Sequence, residues 1–289
     1  PTAVRRIFEL KGRPADHPLI VHLADAGAMA QWARDIPAAA WRLAEAFWPG
    51  PLTLILPRGE RVPLAVTGGQ ESVGLRVPAH PLALELLRSF GGALAAPSAN
   101  RFGRISPTSA LHVLDELGEE LEMILDGGSC QVGVESTIVS LLEPTPRLLR
   151  PGGVPLAALE QLLGGEVALA GGAGATPRAP GMLASHYAPA TPLELWPGET
   201  LGRRLLALVA AGERMAVLAF PATAARLPPA TSTRMVVMPL QVMGYARQLY
   251  ATLRSLDAGG YSRLLVEQPP ATGEWLAVRD RLERAAAES

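Results

Sequence analysis

At 289 residues, with 48% hydrophobic and 18% charged side chains, the chain can bury a substantial core and reads as one large domain or two of ordinary size. Its 26 basic and 27 acidic residues leave a formal charge of −1, which supplies no global field for nucleic acid, so any RNA contact would need a local basic patch. A single cysteine, Cys130, excludes an internal disulfide and a cysteine-only metal cluster. No run approaches the roughly 18–20 apolar residues of a membrane span, and no basic-then-apolar leader is visible, so a soluble cytoplasmic protein is expected.

In chain order the pattern predicts a helix over about 4–10, a strand at PLIVHL, helices within 26–33 and 37–47, and a strand at LTLIL. A strand at SVGLRV, a helix over 81–90 and a strand at ALAA follow. Next comes a helix over about 107–117, where SPTS reads as Ser106 capping and Pro107 in the first helical position, then strands at EMILD and STIVSLL. Several strands are joined by short turns, which predicts an α/β domain over 1–163 with a mixed, twisted sheet. Residues 164–190, rich in Gly, Ala and Pro, lack periodicity and read as a linker. Beyond it, 191–289 alternate strands (TPLELW, MAVLAF, RMVVMP, RLLVEQ) with helices over 201–211, 242–256 and 275–286. That alternation predicts a smaller, Rossmann-like three-layer α/β domain, without the G-x-G-x-x-G fingerprint of dinucleotide binding.

Of the 26 basic residues 25 are arginine, and Lys11 is the one lysine. An exposed charge is served equally by arginine, whereas a site needing a compact ammonium with rotatable donors is not. Chance survival of one lysine is the plain alternative. Four stretches, KGRPADHPLIVH, ESVGLRVP, APSANRFGRISPT and GVESTIVSLLEPTPRLLRPGG, each place basic or hydroxyl groups beside Gly or Pro at the edge of an apolar strand. Converging on one cleft, Lys11, Arg13, Arg76 and Arg150 would make a positive pocket with Ser98, Asn100, Ser106 and Ser136 as neutral donors, suited to a polyphosphate. Taken singly, PSAN also reads as a turn closed by Asn100, and His22 as a core histidine. His17, His22, His80, His112 and His186 show no metal-ligand spacing, and neither a G-x-S-x-G elbow nor a P-loop is present.

Taken in order, KGRP, PLIVHL, WPGPLTLIL, VGLRVP, APSANRFGRISPT and ESTIV…LLRPG resemble the YrdC-like domain of threonylcarbamoyl-AMP synthases through nearly all of residues 1–160. The K-x-R and S-x-N signature falls on Lys11, Arg13, Ser98 and Asn100, and SHYAP at 185–189 with the trailing α/β domain resembles the two-domain form. The departure is at the start: a P-T-x-T-V-Y-G-L-like segment is usual, and here Pro1 and Thr2 run straight into AVRRIFELKGRP, leaving its tyrosine unassigned.

The resemblance implies that L-threonine, bicarbonate and ATP give threonylcarbamoyl-adenylate and pyrophosphate, for the N6-threonylcarbamoyl group that downstream transfer proteins place on tRNA adenosine. It implies ATP contacts from Lys11 and Arg13, the catalytic pair, with His17, Ser72, Ser98, Asn100, Ser106, Arg150 and Tyr187. Thr2, His22, Arg76, Ala96 and Ser136 would hold threonine, Arg76 meeting its carboxylate. His186 and Tyr187 would form a lid over the first domain's pocket. Magnesium is expected with ATP, held mostly by phosphates, because no carboxylate cluster announces a protein-built site. Two competing readings are a nucleotide- or double-stranded-RNA-binding module that keeps the cleft without catalysis, and an enzyme transferring carbamoyl from another donor.

Overall fold

A strand whose apolar residues alternate with polar ones needs cover on one face, whereas a continuous apolar strand needs cover on both. The computed structural model describes residues 2–170, 177–229 and 231–287. By contact it divides into a first unit of Pro1–Phe102, Ser109–Gly128 and Glu135–Met182, and a second of Gly103–Thr108, Ser129–Val134 and Leu183–Ser289.

The first unit opens with α1 (Thr2–Lys11), β1 (Ile20–His22), α2 (Ala38–Phe47), β2 (Leu52–Pro57), α3 (Leu64–Thr67) and β3 (Ser72–Arg76). It continues with α4 (Pro81–Phe90), β4 (Leu94–Ala95), α5 (Ala110–Leu117), β5 (Thr137–Ser140), β6 (Arg147–Arg150), α6 (Leu156–Leu163) and β7 (Ala168–Leu169). The strands form one sheet in the order β4-β1-β3-β2-β5-β6-β7, with parallel and antiparallel pairs mixed. Register places Ile20 opposite Gly74 and His22 opposite Arg76, Ile55 opposite Gly74 on the other side, and Thr53 opposite Ile138. Paired residues share a face, so Ile20, Ile55 and Ile138 form an apolar floor together with Leu149, and Ala179 and Met182 pack on it.

Helix α1 stops where it does because Gly12 takes a left-handed φ of 60°. Its N–H meets the Glu9 carbonyl and the Arg13 N–H meets that of Phe8, the paired bonds of a Schellman cap. The cap turns the chain so that Lys11 closes the helix and Arg13 leaves it at the sheet.

In the second unit β8 (Leu193–Trp196), α7 (Gly198–Ala210), β9 (Met215–Ala219), α8 (Pro221–Ala224), β10 (Thr233–Val237), α9 (Val242–Asp257), β11 (Arg263–Glu267) and α10 (Leu276–Ala286) follow in turn. The sheet is wholly parallel, in the order β10-β9-β11-β8. Along β9, Ala216 and Leu218 enter a core with Leu249, Leu253, Val278 and Leu282 of α9 and α10, while Met215, Val217 and Ala219 enter another with Leu201, Leu205 and Leu208 of α7. Helices therefore cover both faces, the expected three layers.

Three local expectations are corrected. EMILD at 122–126 forms no strand, and Met123 and Leu125 are exposed; an apolar run becomes a strand only beside a pairing edge, and the sheet's edges are β4 and β7. Helix α5 begins at Ala110 with Ser109 as its cap, accepting from the His112 N–H at 3.3 Å, in place of a start at Pro107 under Ser106. The chain before it is held otherwise, by the Arg254 side chain at the Ser106 carbonyl and by the Cys130 N–H at that of Thr108. Within the expected linker, β7 adds a strand beside β6, residues 177–182 belong to the first unit and 183–190 to the second. Its part at 171–176 lies outside the described residues.

Two glycines give a graded test. A Cβ at Gly12 would meet nothing within 4 Å, so Gly12→Ala carries only the left-handed backbone penalty of about 1–2 kcal/mol. At Gly68, with φ of 61°, a Cβ would come within 2.2 Å of the Asp16 carbonyl oxygen, adding a backbone clash to the same penalty. Urea unfolding of the two variants should rank Gly68→Ala well below Gly12→Ala; equal stabilities would contradict the close approach of the 16–17 loop to α3.

Candidate functional site

Lys11 is 4% exposed at the end of α1, and a buried ammonium must find acceptors. Its Nζ donates to the Ser98 carbonyl at 2.6 Å and to that of Asn100, while the Lys11 carbonyl accepts from the Phe102 N–H at 2.8 Å. K-x-R and S-x-N are thereby one structure, with the lysine side chain as the post around which the 98–102 loop folds. The Asn100 amide donates to the Arg101 carbonyl at 2.7 Å, fixing the turn from within. Arg13 donates to the Pro18 carbonyl at 2.9 Å and lies 5.3 Å over the Phe102 ring, which His17 meets edge-on at 5.1 Å. Burial, then the charge of Arg13, pulls the Lys11 ammonium down to about 8, and the same two causes in the same order hold His17 below its usual range.

The other end of the same sheet face carries a second polar group. His22 and Arg76 are register partners, and Arg76 donates to the Gly50 carbonyl at 3.0 Å. Thr53 and Ser136 share a hydrogen bond of 2.7 Å between their hydroxyls. Arg150 donates to the Ser136 carbonyl through two nitrogens at 3.1 and 2.9 Å, to the Ser136 hydroxyl at 3.1 Å, and to the Pro180 carbonyl at 3.1 Å. His22 falls to about 4, first through burial and then through Arg76, so its ring is neutral at physiological pH and acts as a hydrogen-bonding group, not a charge.

Ser72 and Arg76 stand at opposite ends of β3, about 13 Å apart by strand rise. Between these ends lies the apolar floor of Ile20, Ile55 and Ile138, crossed by the strap 177–182. The strap is anchored by its own groups: Arg178 donates to the Gly68 carbonyl at 2.9 Å and pairs with Asp16 at 3.3 Å, and Gln70 exchanges two backbone bonds with it. A cavity of about 400 Å³ opens beside Arg13, lined by Arg5, Phe8, Glu9 and Ala65 among others, away from Arg76 and Ser136.

Among the sequence-derived candidates, Lys11, Arg13, His17, Ser98 and Asn100 come together at one end, and His22, Arg76, Ser136 and Arg150 at the other. Ala96 joins β1 through its N–H to the Ile20 carbonyl at 3.0 Å. Thr2 stands apart, exposed in the first turn of α1, about 14 Å of helix from Lys11. Ser106, His186 and Tyr187 belong to the second unit. Tyr187 is 1% exposed there with φ of 64°, stacked on Tyr250 at 5.8 Å and under Arg281 at 4.9 Å, with His186 packed on its ring at 4.1 Å. The segment that covers the first unit's floor is thus 177–182, and the expected lid residues sit in the second unit's core. Phe102 and Thr53 were missed: Phe102 carries no polar signal, and Thr53 becomes visible only once the register sets it beside Arg76.

Because Lys11 titrates near 8 in the free protein and an anion favours its charged form, binding a polyphosphate above that pH takes up a proton. Affinity for ATP should hold from about pH 7 to 8 and then fall, by at most about tenfold per unit. Lys11→Arg, whose guanidinium stays charged, should bind more weakly yet lose this dependence; an equal decline in both, followed by calorimetry, would remove Lys11 as its source.

Comparison with known proteins agrees across both units. A family described as telomere recombination matches residues 1–152, and one described as threonylcarbamoyl-AMP synthase, C-terminal domain, matches 154–287. The threonylcarbamoyl-AMP synthase of Pyrococcus abyssi is 41% identical, covering 98% of this chain and 84% of its own. That of Bacillus subtilis is 39% identical over 98% and 83%. The crystal structure of P. abyssi Sua5 complexed with L-threonine superposes with a TM-score of 0.89 at 39% identity, covering 99% of this chain and 84% of that one. A variant of the same protein with an adjacent histidine and tyrosine changed to alanine gives 0.88. The chain therefore belongs to the threonylcarbamoyl-AMP synthase family, in its two-domain form.

Proposed function

We propose that the chain condenses L-threonine, bicarbonate and ATP into threonylcarbamoyl-adenylate and pyrophosphate, supplying the activated threonylcarbamoyl group for tRNA adenosine. The observation that carries this reading is the pair of polar ends on one sheet face, Lys11 and Arg13 at one and Arg76, Ser136 and Arg150 at the other, separated by an apolar floor. Threonine is assigned to the Arg76 end, where a guanidinium meets its carboxylate and His22, Thr53 and Ser136 offer neutral partners. The relative crystallised with L-threonine supports a threonine site in this fold.

The neutral threonine amine attacks the bicarbonate carbon; the N–C bond forms as the C–OH bond breaks, the hydroxyl leaves as water with a proton from the amine, and a carbamate anion results. A carbamate oxygen then attacks the α-phosphorus of ATP, the new P–O bond forming as the bond to the β-phosphate breaks and pyrophosphate leaves. Both reactants are anions, so the site must neutralise them: Lys11 as a mobile point charge at the phosphates, and Arg13 and Arg150 as fixed forks, with Ser98 and Asn100 beside them. His17 and Ser72 lie at the phosphate end in this reading. The strap 177–182 limits water over the floor, where a mixed anhydride would otherwise hydrolyse.

Magnesium enters on the ATP phosphates. Among the described residues no three His, Cys, Asp or Glu side chains stand together as a metal site, so the protein does not fit a metal held by its own ligands. The ion would supply charge neutralisation on the departing pyrophosphate. No helix among the described residues has the length and apolarity to cross a membrane.

Pyrophosphate release by the purified chain should require threonine and bicarbonate together, and equal release without threonine would overturn the reading. In the same assay Arg76→Gln should raise the threonine KM by roughly 10- to 100-fold while leaving the ATP KM near the parent value, as expected for losing a charge-assisted pair.

A further inference from the structure

Two buried threonines stand on neighbouring strands of the first unit, Thr53 on β2 and Thr137 on β5, and their hydroxyls are used differently. That of Thr137 is fully spent: it donates to the Val154 carbonyl at 2.7 Å and accepts from the Val154 N–H at 2.8 Å. That of Thr53 has one partner among the described residues, the Ser136 hydroxyl at 2.7 Å, which also accepts from Arg150 at 3.1 Å.

A hydroxyl carries one hydrogen and two acceptor sites, and a guanidinium only donates. Thr53 and Ser136 therefore hold two hydrogens and share one bond, and Arg150 can take neither hydrogen. One is in surplus, and packing decides which residue keeps it. Thr53 lies between β3 and β5 with its methyl toward Gly74, where a Cβ would come within 3.3 Å of that methyl, so its hydroxyl is turned to Ser136. Ser136 precedes the first residue of β5, and its backbone is held by the close approach of Gly152, at which a Cβ would come within 2.5 Å of the Ser136 carbonyl carbon. Thr53 thus donates, Ser136 accepts from both Thr53 and Arg150, and the Ser136 hydrogen is left for an acceptor from outside. A buried hydroxyl hydrogen is costly to leave unpaired, so the place calls for one.

The register says what stands beside it. His22 faces Arg76 across β1 and β3, and because Leu54 faces Leu75 in the antiparallel pair of β2 and β3, Thr53 comes next to Arg76. The surplus hydrogen lies in a row with a guanidinium, and both acceptor sites of Ser136 are taken. An anionic oxygen fits there and an ammonium does not.

We propose that Thr53 is a positioning residue for L-threonine: by donating to Ser136 it makes that hydroxyl a committed donor to a carboxylate oxygen. This deepens, and rests on, the reading above that puts the threonine carboxylate at Arg76. It also sets the direction of the bound amino acid, because the ammonium finds no acceptor on Ser136 and is turned away from it.

The test measures affinities of the full chain for L-threonine, L-threoninamide and ATP by calorimetry. Thr53→Val, close to threonine in shape, should weaken threonine binding about tenfold and leave ATP at the parent value. It should also narrow the preference for threonine over its amide, since Ser136 regains an acceptor site for the amide N–H. Thr53→Ser, which keeps the hydroxyl, should restore both. Thr53→Val combined with Ser136→Ala should bind threonine no more weakly than Ser136→Ala alone. Normal threonine affinity in Thr53→Val beside a weakened Arg76→Gln would overturn the positioning role and leave threonine at Arg76. Normal affinity in Arg76→Gln would overturn the carboxylate assignment and the proposal with it. An unchanged preference over the amide, or multiplied losses in the double variant, would overturn the route through Ser136. Should Thr53→Val melt below the parent, Thr53→Ser decides: recovered threonine affinity supports the donated hydrogen bond, and a shared loss overturns it.

Discussion

A hydrogen bond from a cation to a backbone carbonyl satisfies the donor without cancelling the charge. The first unit uses this at each end of its sheet face: Lys11 on Ser98 and Asn100, Arg13 on Pro18, Arg76 on Gly50, Arg150 on Ser136 and Pro180. Elsewhere arginines pair with carboxylates, as Arg178 does with Asp16 in the first unit and Arg204 and Arg263 with Glu194 in the second. Carboxylate pairing closes a charge locally, whereas carbonyl pairing leaves positive potential to be met by an anion from outside. Burial raises the cost of such charge, and the depressed Lys11 ammonium, lowered first by burial and then by Arg13, is where that cost is visible. Chemistry between a carbamate and an α-phosphate needs a place of this kind, because neither reactant brings a counter-charge.

Much of this was legible in the sequence, and the reasons differ from residue to residue. Lys11 could be singled out because one lysine among 25 arginines is a chemical choice. The second unit was readable because buried parallel strands are apolar throughout and alternate with amphipathic helices. What escaped was long-range commitment. Nothing local in RISPT says that Ile105 joins a core with α9 and not the one its neighbours in PSAN frame. EMILD is apolar enough for a strand, and only the absence of an edge beside it decides otherwise. Ala179 and Met182 looked like filler in a Gly- and Pro-rich stretch, because an apolar floor waiting for cover cannot be inferred from the covering segment. Tyr187 adopts a left-handed backbone that its residue type does not signal.

The strap also explains an apparent excess of anchoring. An idle tether would not need Arg178 on Gly68 and Asp16, Gln70 on its backbone and two apolar side chains on the floor. These are surface-grade contacts, each worth little alone, so the strap is held without being locked. Such a balance suits a cover that must admit two substrates and retain one labile product, and Arg150, which bonds both Ser136 and Pro180, links the strap's position to the site beneath it.

The central claim is that one sheet face carries two anion-binding ends, with phosphates at Lys11 and the threonine carboxylate at Arg76. A crystal structure with L-threonine and a non-hydrolysable ATP analogue tests it most directly. The account predicts the carboxylate within hydrogen-bonding distance of Arg76 and the triphosphate within reach of Lys11 and Arg13, with the reacting groups meeting over Ile20, Ile55 and Ile138. Threonine bound at Lys11, or a triphosphate lying against Arg76 with Lys11 still bonded to Ser98 and Asn100 alone, would contradict it.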